Sequence, residues 1–183
     1  MKIVPSIALL LALISGPAFA QLKSANLDPQ AWYSIIAAHS GKALEIAGGI
    51  EGKADGLPLQ QNVPTGAANQ LFQFKQIKSG FFQIIVKHSG KVLEIRNNSP
   101  KALAQIQQDE PNGKDFQLFT LVQDSSGNYR IISRSTGYGF DVSGGVTAIS
   151  NNTPVIVYPA TGASNQMFSL VQARDKPDAP STP

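Results

Sequence analysis

Two histidine–carboxylate pairs recur at matched positions in the sequence. His39 stands beside a Ser-Gly-Lys turn and precedes Glu45 by six residues, and His88 and Glu94 repeat this arrangement. Such pairs suit general acid–base chemistry or metal binding. A third matching stretch has Ser135 where the histidine would stand, and copies of a repeat lie apart in space. We therefore expect both histidines to be solvent-exposed turn residues.

The acids themselves could take part in glycoside hydrolysis, which needs two carboxyl groups about 5 to 10 Å apart across one bond. Glu45, Glu94 and Asp141 occupy matching places in different repeats, so we expect them to lie farther apart than that. The chain has no cysteine, which excludes thiolate nucleophiles and thiolate metal sites. The sequence also lacks a Ser-His-Asp signature, a phosphate loop and zinc-ligand spacing. We predict no catalytic residue, no metal site and no cofactor.

Length and composition place the chain among ordinary globular proteins. It has 183 residues, of which 42% are apolar and 15% charged, a profile that fits one domain. The formal net charge is +3, and the fifteen Lys and Arg residues are scattered along the chain. Because no basic stripe is present, nucleic acid is not an expected partner.

The N-terminal residues 1–20 have the order of a secretory signal. Lys2 precedes an apolar run from Ile3 to Ile14, and Ala18-Phe19-Ala20 offers a small-x-small cleavage site. The run is shorter than the roughly 20 residues of a membrane-spanning helix, and no second run follows, so no membrane span is predicted. We expect an exported protein, secreted or periplasmic, cleaved after Ala20.

An internal repeat organises the remaining sequence. The stretches YSIIAAHSGKALEI, FQIIVKHSGKVLEI and YRIISRSTGYGFDV align without a gap and begin at Tyr33, Phe82 and Tyr129. The second halves of the copies also align and end at Phe72, Phe119 and Phe168. Self-similarity at a period of about 50 residues is typical of repeat architectures. These three phenylalanines are predicted to be core residues, since apolar residues at regular strand positions are usually buried.

Within each repeat the pattern is that of short strands. Apolar β-branched and aromatic residues cluster in short runs separated by Gly, Pro, Asn and Ser, and no segment keeps a helical period. In the third repeat, strands are predicted near Tyr129–Ser133, Gly139–Ser143, Pro154–Tyr158 and Met167–Gln172. Units of this size cannot each bury an apolar face alone, so they should close around a pseudo-threefold axis. The predicted fold is all-β, a β-trefoil of three internal repeats.

The repeats set the predicted domain boundaries. One β-trefoil domain is predicted at residues 32–172, with its three repeats at residues 32–80, 81–127 and 128–172. A short leader at 21–31 precedes the domain, and a Pro-rich tail at 173–183 is predicted to be disordered. We expect the domain to be a monomer.

The ends of the three repeats resemble the Gln-x-Trp/Phe repeats of the ricin B-type lectins. The motifs that carry the resemblance are Gln70-Leu71-Phe72, Gln117-Leu118-Phe119 and Gln166-Met167-Phe168. The resemblance covers nearly all of the mature chain and implies a non-catalytic, carbohydrate-binding protein whose partner is a glycan or glycoconjugate. In that family a carboxylate at the end of the second strand accepts hydrogen bonds from sugar hydroxyls. An aromatic ring stacks on the sugar, and an Asn-Gln pair completes the pocket.

Transferred to this sequence, the resemblance places the main site in the third repeat. Asp141 takes the place of the carboxylate, Tyr158 that of the ring, and Asn165 and Gln166 those of the amides. A charged acceptor and an aromatic face together match the hydroxyls and the C–H face of a pyranose. These four residues are the predicted primary carbohydrate-binding residues.

The first repeat offers an incomplete version of the same site. Glu45, Asn69 and Gln70 match the family positions, but Asn62 stands where the ring should be. The resemblance therefore implies a weaker site in this repeat.

The second repeat departs further from the family pattern. Glu94 and Gln117 match, but Asp109 replaces the ring and Phe116 replaces the asparagine. We expect this repeat to be a structural remnant that does not bind sugar.

A purely structural role for the carboxylates and amides is also compatible with the sequence. A carboxylate at a strand end can simply accept hydrogen bonds from the local backbone, and buried amides can tie a strand to a loop. The fold also hosts several functions. One alternative is a receptor-binding or interaction subunit of an exported complex or toxin, whose protein partner is unknown. Another is a proteinase inhibitor with Glu51 to Gly56 as the inserted loop. The sugar itself is not specified by the sequence.

Overall fold

The computed structural model describes residues 27–174. The predicted signal sequence, the leader up to residue 26 and the tail from residue 175 lie outside the described residues. Within the described range the chain forms twelve β-strands and six single-turn 3-10 helices. In this part of the chain there is no helix with the length and apolar character needed to cross a membrane.

The strands follow one another in three sets of four. The first repeat contains β1 (Tyr33–Ala37), β2 (Ala43–Ile46), β3 (Leu59–Asn62) and β4 (Phe72–Lys78). The second repeat contains β5 (Phe81–Val86), β6 (Val92–Ile95), β7 (Ile106–Asp109) and β8 (Phe119–Gln123). The third repeat contains β9 (Tyr129–Ser133), β10 (Gly139–Val142), β11 (Thr153–Tyr158) and β12 (Phe168–Gln172). The strands predicted for the third repeat are thus found, each within one residue of its predicted ends.

Six strands close into a barrel. β1 pairs with β4 and β12, β5 pairs with β4 and β8, and β9 pairs with β8 and β12, all antiparallel. The other six strands form the hairpins β2–β3, β6–β7 and β10–β11, one in each repeat. Each hairpin continues from the barrel through its own repeat's first strand. Closure leaves the barrel without a free edge, and the predicted β-trefoil is confirmed.

The core is built from residues at equivalent positions of the three repeats. Three such fully buried sets are Ile35, Ile84 and Ile131; Leu44, Leu93 and Phe140; and Phe72, Phe119 and Phe168. The ring of Phe119 meets the ring of Phe140 edge-on, with centroids 5.1 Å apart. The phenylalanines that end the Gln-x-Phe motifs are therefore core residues, as predicted.

The chain turns at the same place after the second strand of every repeat. Gly48, Asn97 and Gly144 adopt φ angles of 89°, 56° and 92° there. Glycine and asparagine tolerate this left-handed region better than other residues, which explains why the sequence carries Gly-Gly or Asn-Asn at each turn.

The segment between the second and third strands of each repeat, here called the crossing loop, docks on the hairpin of the next repeat. In each crossing loop a backbone N–H donates to a carbonyl of the neighbouring third strand: Gly56 to Gln108 at 2.9 Å, Leu103 to Val157 at 2.8 Å and Asn152 to Gln61 at 2.9 Å. The crossing loop of one repeat therefore lies beside the hairpin that carries the carboxylate of the next repeat.

Candidate functional site

The three carboxylates singled out from the sequence occupy equivalent buried positions on the second strands. Their cross-strand neighbours differ. Glu45 faces Gln60 and Glu94 faces Gln107, whereas Asp141 faces Ile156. In the first two repeats an amide group therefore lies beside the carboxylate, and in the third repeat an apolar side chain takes its place.

In the third repeat the Asp141 carboxylate keeps one oxygen free of protein donors. Gln166 Nε2 donates to Asp141 Oδ2 at 2.8 Å, and no hydrogen bond to Asp141 Oδ1 is formed within residues 27–174. Asn165 Nδ2 donates to the Val142 carbonyl at 3.2 Å, beside the carboxylate. An ionised carboxylate with an unused oxygen is a strong acceptor for an external hydroxyl group.

Gln166 is fully engaged with the protein. Its Nε2 also donates to the Pro159 carbonyl at 3.0 Å, and its Oε1 accepts from the backbone N–H and the hydroxyl of Thr161 at 2.8 and 3.1 Å. The amide has two donors and two acceptor sites, and all are used. The structure thus brings Gln166 to Asp141 as a positioning residue that also holds the loop before it.

A cavity of about 350 Å³ opens beside Asp141. Its side-chain lining includes Leu103, Asp141, Val146, Ile156, Tyr158 and Asn165. Tyr158 is 38% exposed and lines the cavity. Three of the four predicted primary residues line this cavity, and Gln166 supports it from behind. The combination of one carboxylate with an apolar rim fits a ligand that has both hydroxyl groups and an apolar face.

Burial raises the pKa of Asp141, while the hydrogen bond from Gln166, the amide of Asn165 and the charge of His39 act in the opposite direction. Because burial dominates, the folded protein holds this carboxyl group at a pKa above its usual value. Ionised Asp141 therefore lacks full solvation in the free protein, and a hydroxyl donor entering the cavity would replace part of it.

The Glu45 carboxylate in the first repeat is filled by the protein's own amides. Its Oε1 accepts from Gln60 at 3.0 Å and from Asn62 at 2.7 Å, and its Oε2 accepts from Gln70 at 2.9 Å and from Asn69 at 3.4 Å. Burial raises the pKa of Glu45, but these four side-chain hydrogen bonds together outweigh burial and lower it. The structure brings the predicted residues together and uses them internally, so no acceptor is left for a sugar.

The Glu94 carboxylate in the second repeat is also engaged. It accepts from Gln107 at 2.9 Å and from Gln117 at 3.0 Å, and Arg96 Nε holds Gln107 in place at 2.8 Å. Burial raises the pKa of Glu94 more than these amides lower it, and the charge of Asp109 raises it further. Asp109 stands at the position that Tyr158 holds in the third repeat, so the ring of the family pattern is missing from that position.

The histidines hold crossing loops and are not simply solvated. His39 Nε2 donates to the Ala148 carbonyl at 3.2 Å, and His88 Nε2 donates to the Gly52 carbonyl at 2.8 Å. Both side chains are half-buried. The expectation of solvent-exposed turn residues is therefore wrong, because each histidine faces a loop that another repeat lays against it.

Two glutamines that the sequence did not single out share this task. Gln61 Nε2 donates to the carbonyls of Ala148 and Ser150, and Gln108 Nε2 donates to those of Gly52 and Ala54. A signal existed in the sequence, since both glutamines occupy the same place in their repeats. The third repeat has Val157 there.

Among residues 27–174, no group of three or more His, Asp or Glu side chains lies close enough to share a metal ion.

The closed three-repeat barrel is a β-trefoil, and of its three equivalent carboxylates only Asp141 has an oxygen that accepts no hydrogen bond within residues 27–174. The sequence profile described as "Ricin-type beta-trefoil lectin domain-like" matches residues 21–109 and 68–158. The chain therefore belongs to this family. No curated protein sequence matches the chain.

Solved structures with the same fold include both single-domain trefoils and enzyme-borne domains. The designed threefold-symmetric protein ThreeFoil superposes with a TM-score of 0.73 at 31% identity, over 76% of this chain and 97% of that one. The ricin B-like lectin of Macrolepiota procera, solved with lactose, gives 0.68 at 17% identity, over 80% and 99%. An exo-β-1,3-galactanase from Clostridium thermocellum gives 0.73 at 22% identity, over 79% of this chain and 30% of that one. The last two likenesses concern the fold alone.

Proposed function

We propose that the protein is a non-catalytic lectin that binds glycan mainly through the third repeat. The observation that carries this proposal is the Asp141 carboxylate with one oxygen free, beside the exposed ring of Tyr158. Family membership supports carbohydrate binding in general. The choice of the third repeat is supported by the amides that donate to both oxygens of Glu45 and to both oxygens of Glu94 in the other two.

A hexose in this site would contact both the carboxylate and the aromatic ring of the cavity. One or two of its hydroxyl groups would donate to the free oxygen of Asp141, and its C–H face would lie on Tyr158. A shallow site of this kind buries few ligand atoms, so a single sugar should bind with a Kd of about 1 mM or a few-fold tighter.

Removing either element should weaken sugar binding while the fold persists. Asp141→Asn replaces the charged acceptor by a neutral one, and Tyr158→Ala removes the stacking face. Each should cost about 1 to 3 kcal/mol of binding free energy, which corresponds to an increase in Kd of about 5- to 150-fold. A glycan array would first define specificity. Calorimetric titration would then use lactose and N-acetylgalactosamine, the sugars present in two related lectin structures.

Glu94→Gln is the matched control for this experiment. It neutralises the equivalent carboxylate of the second repeat, which already accepts from Gln107 and Gln117. The control should bind with the wild-type affinity. Equal losses in Asp141→Asn and Glu94→Gln would contradict the assignment to the third repeat. Unchanged binding with a lower melting temperature in Asp141→Asn would mean that Asp141 is structural.

We also propose that the protein is exported and acts as a monomer. The order of charged, apolar and small residues in the first 20 positions supports cleavage after Ala20 and a secreted or periplasmic location. Intact-mass measurement of protein recovered from the culture medium or periplasm would test the cleavage site. A product that retains residues 1–20 would contradict it.

The inhibitor alternative is not favoured, because the segment Glu51 to Gly56 is tied to the next repeat. The carbonyls of Gly52 and Ala54 accept from Gln108, and Asp55 forms a 2.6 Å ion pair with Lys91. The interaction-subunit alternative would be supported by another chain that co-purifies with this one.

A further inference from the structure

Leu103 is a large apolar residue exposed to solvent in an unfavourable backbone conformation. Its side chain is 64% exposed, and its φ of 68° lies in the left-handed region. The equivalent positions in the other crossing loops hold Gly56 and Asn152, residue types that adopt this region readily. A leucine at this position buries little apolar surface, and its left-handed backbone costs conformational free energy. Packing in the core therefore does not explain why a leucine stands here.

The crossing loop of the second repeat is held to the third repeat by its main chain. Leu103 N–H donates to the Val157 carbonyl at 2.8 Å, and Val157 N–H donates to the Ala104 carbonyl at 2.8 Å. The other crossing loops are also gripped by the side chains of Gln61 and Gln108. With the main chain fixed on both sides, the position of the Leu103 side chain is set without any contribution from that side chain.

That position is the cavity beside Asp141. Leu103 lines it together with Tyr158 and the exposed Val146, and the buried Ile156 lies below. Backbone strain at an exposed residue is a pointer to function, since such strain persists only where the surrounding structure maintains it. An exposed leucine at the rim of a small pocket adds apolar surface that a sugar ring would remove from water.

We infer that Leu103, supplied by the second repeat, is an apolar contact residue of the third repeat's sugar site and helps to set its affinity. This assignment rests on the glycan-binding function proposed above. It makes the site a two-repeat structure, with the carboxylate and ring from the third repeat and an apolar wall from the second.

Two substitutions separate the contact from the strain. Leu103→Ala removes the apolar side chain but keeps a Cβ atom in the left-handed region, so the strain remains. Leu103→Asn also removes the apolar side chain and relieves the strain, because asparagine tolerates this region. Both variants should raise the Kd for lactose and N-acetylgalactosamine by about 3- to 10-fold. Only Leu103→Asn should raise the melting temperature.

Ile50→Ala provides the matched control. Ile50 is an exposed apolar residue on the first repeat's crossing loop and is not part of this cavity. Its replacement should leave the Kd for both sugars unchanged.

The outcomes distinguish this inference from the proposed function. If both Leu103 variants bind like wild type while Asp141→Asn does not, the inference is overturned and the lectin function stands. A loss confined to Leu103→Asn would also overturn it, since the apolar side chain would then be dispensable. If wild-type protein binds neither sugar and no array glycan, both the function and the role of Leu103 are refuted.

Discussion

Phe119→Ala is expected to lower the free energy of unfolding by about 3 to 5 kcal/mol. The ring is fully buried in the barrel and packs edge-on against Phe140 with centroids 5.1 Å apart. Its removal loses the transfer free energy of the ring and leaves a cavity among residues of at least two repeats. Urea unfolding followed by far-UV circular dichroism gives the free energy, provided that the transition is two-state.

Val171→Ala in β12 is the control for this prediction. Val171 points out of the barrel and is about half exposed. Its truncation should change the free energy of unfolding by no more than about 0.5 kcal/mol. A loss below about 1 kcal/mol in Phe119→Ala would contradict the placement of this ring in the core.

Glu45→Gln should lower the free energy of unfolding by about 2 to 3 kcal/mol near pH 7. The Glu45 carboxylate accepts from four amide groups, and a glutamine there presents an NH₂ group to two of those donors. Two of the four donors would lose their acceptor and face another donor. The same urea titration, repeated across pH, measures the effect.

The pH dependence of this loss follows from the lowered pKa of Glu45. A carboxyl group whose pKa is lower in the folded than in the unfolded state stabilises the fold above the unfolded value. That contribution disappears as the pH falls through the folded value. The difference between Glu45→Gln and wild type should therefore shrink as the solution is acidified. A loss that stays constant between about pH 7 and pH 3 would contradict the role of the charge.

Asp141→Asn is the opposite case and serves as the comparison. Burial raises the pKa of Asp141 in the folded protein. Protonation of this group therefore stabilises the fold, fully so at pH values below the pKa of the unfolded state. This stabilisation is lost as the pH rises through the pKa of the folded state. At neutral pH the ionised group costs stability, and Asp141→Asn should be neutral or slightly stabilising. Acidification should remove any stability advantage of Asp141→Asn over the wild type. Opposite signs at Glu45 and Asp141 would show that amide donors stabilise the first carboxylate, whereas burial outweighs its donors at the second.

The all-β fold and its threefold plan were predictable from the sequence. Strand residues such as Tyr129–Ser133 alternate with turn residues at a regular period, and this local pattern is repeated three times along the chain. The equivalence of Phe72, Phe119 and Phe168 was also visible, because a core position must be filled by a large apolar residue in every copy. Local patterning and repetition are properties of the linear chain.

The state of each carboxylate was decided only by tertiary structure. From the sequence, Glu45 and Asp141 looked like weaker and stronger versions of one site, yet strand register places Gln60 beside the first and Ile156 beside the second. Hydrogen bonds from Gln60 and Asn62 then fill Glu45, while one oxygen of Asp141 remains free of protein donors in the described chain.

The side-chain contacts between different repeats could not be predicted from the sequence pattern either. His39 holds a loop of the third repeat, and Leu103 of the second repeat lines the cavity beside Asp141. The sequence by itself determined which residues are strand, turn and core, because short-range periodicity and residue type decide these. Which side chains meet across repeats depends on barrel closure and on the docking of crossing loops, and only the folded chain brings those segments together.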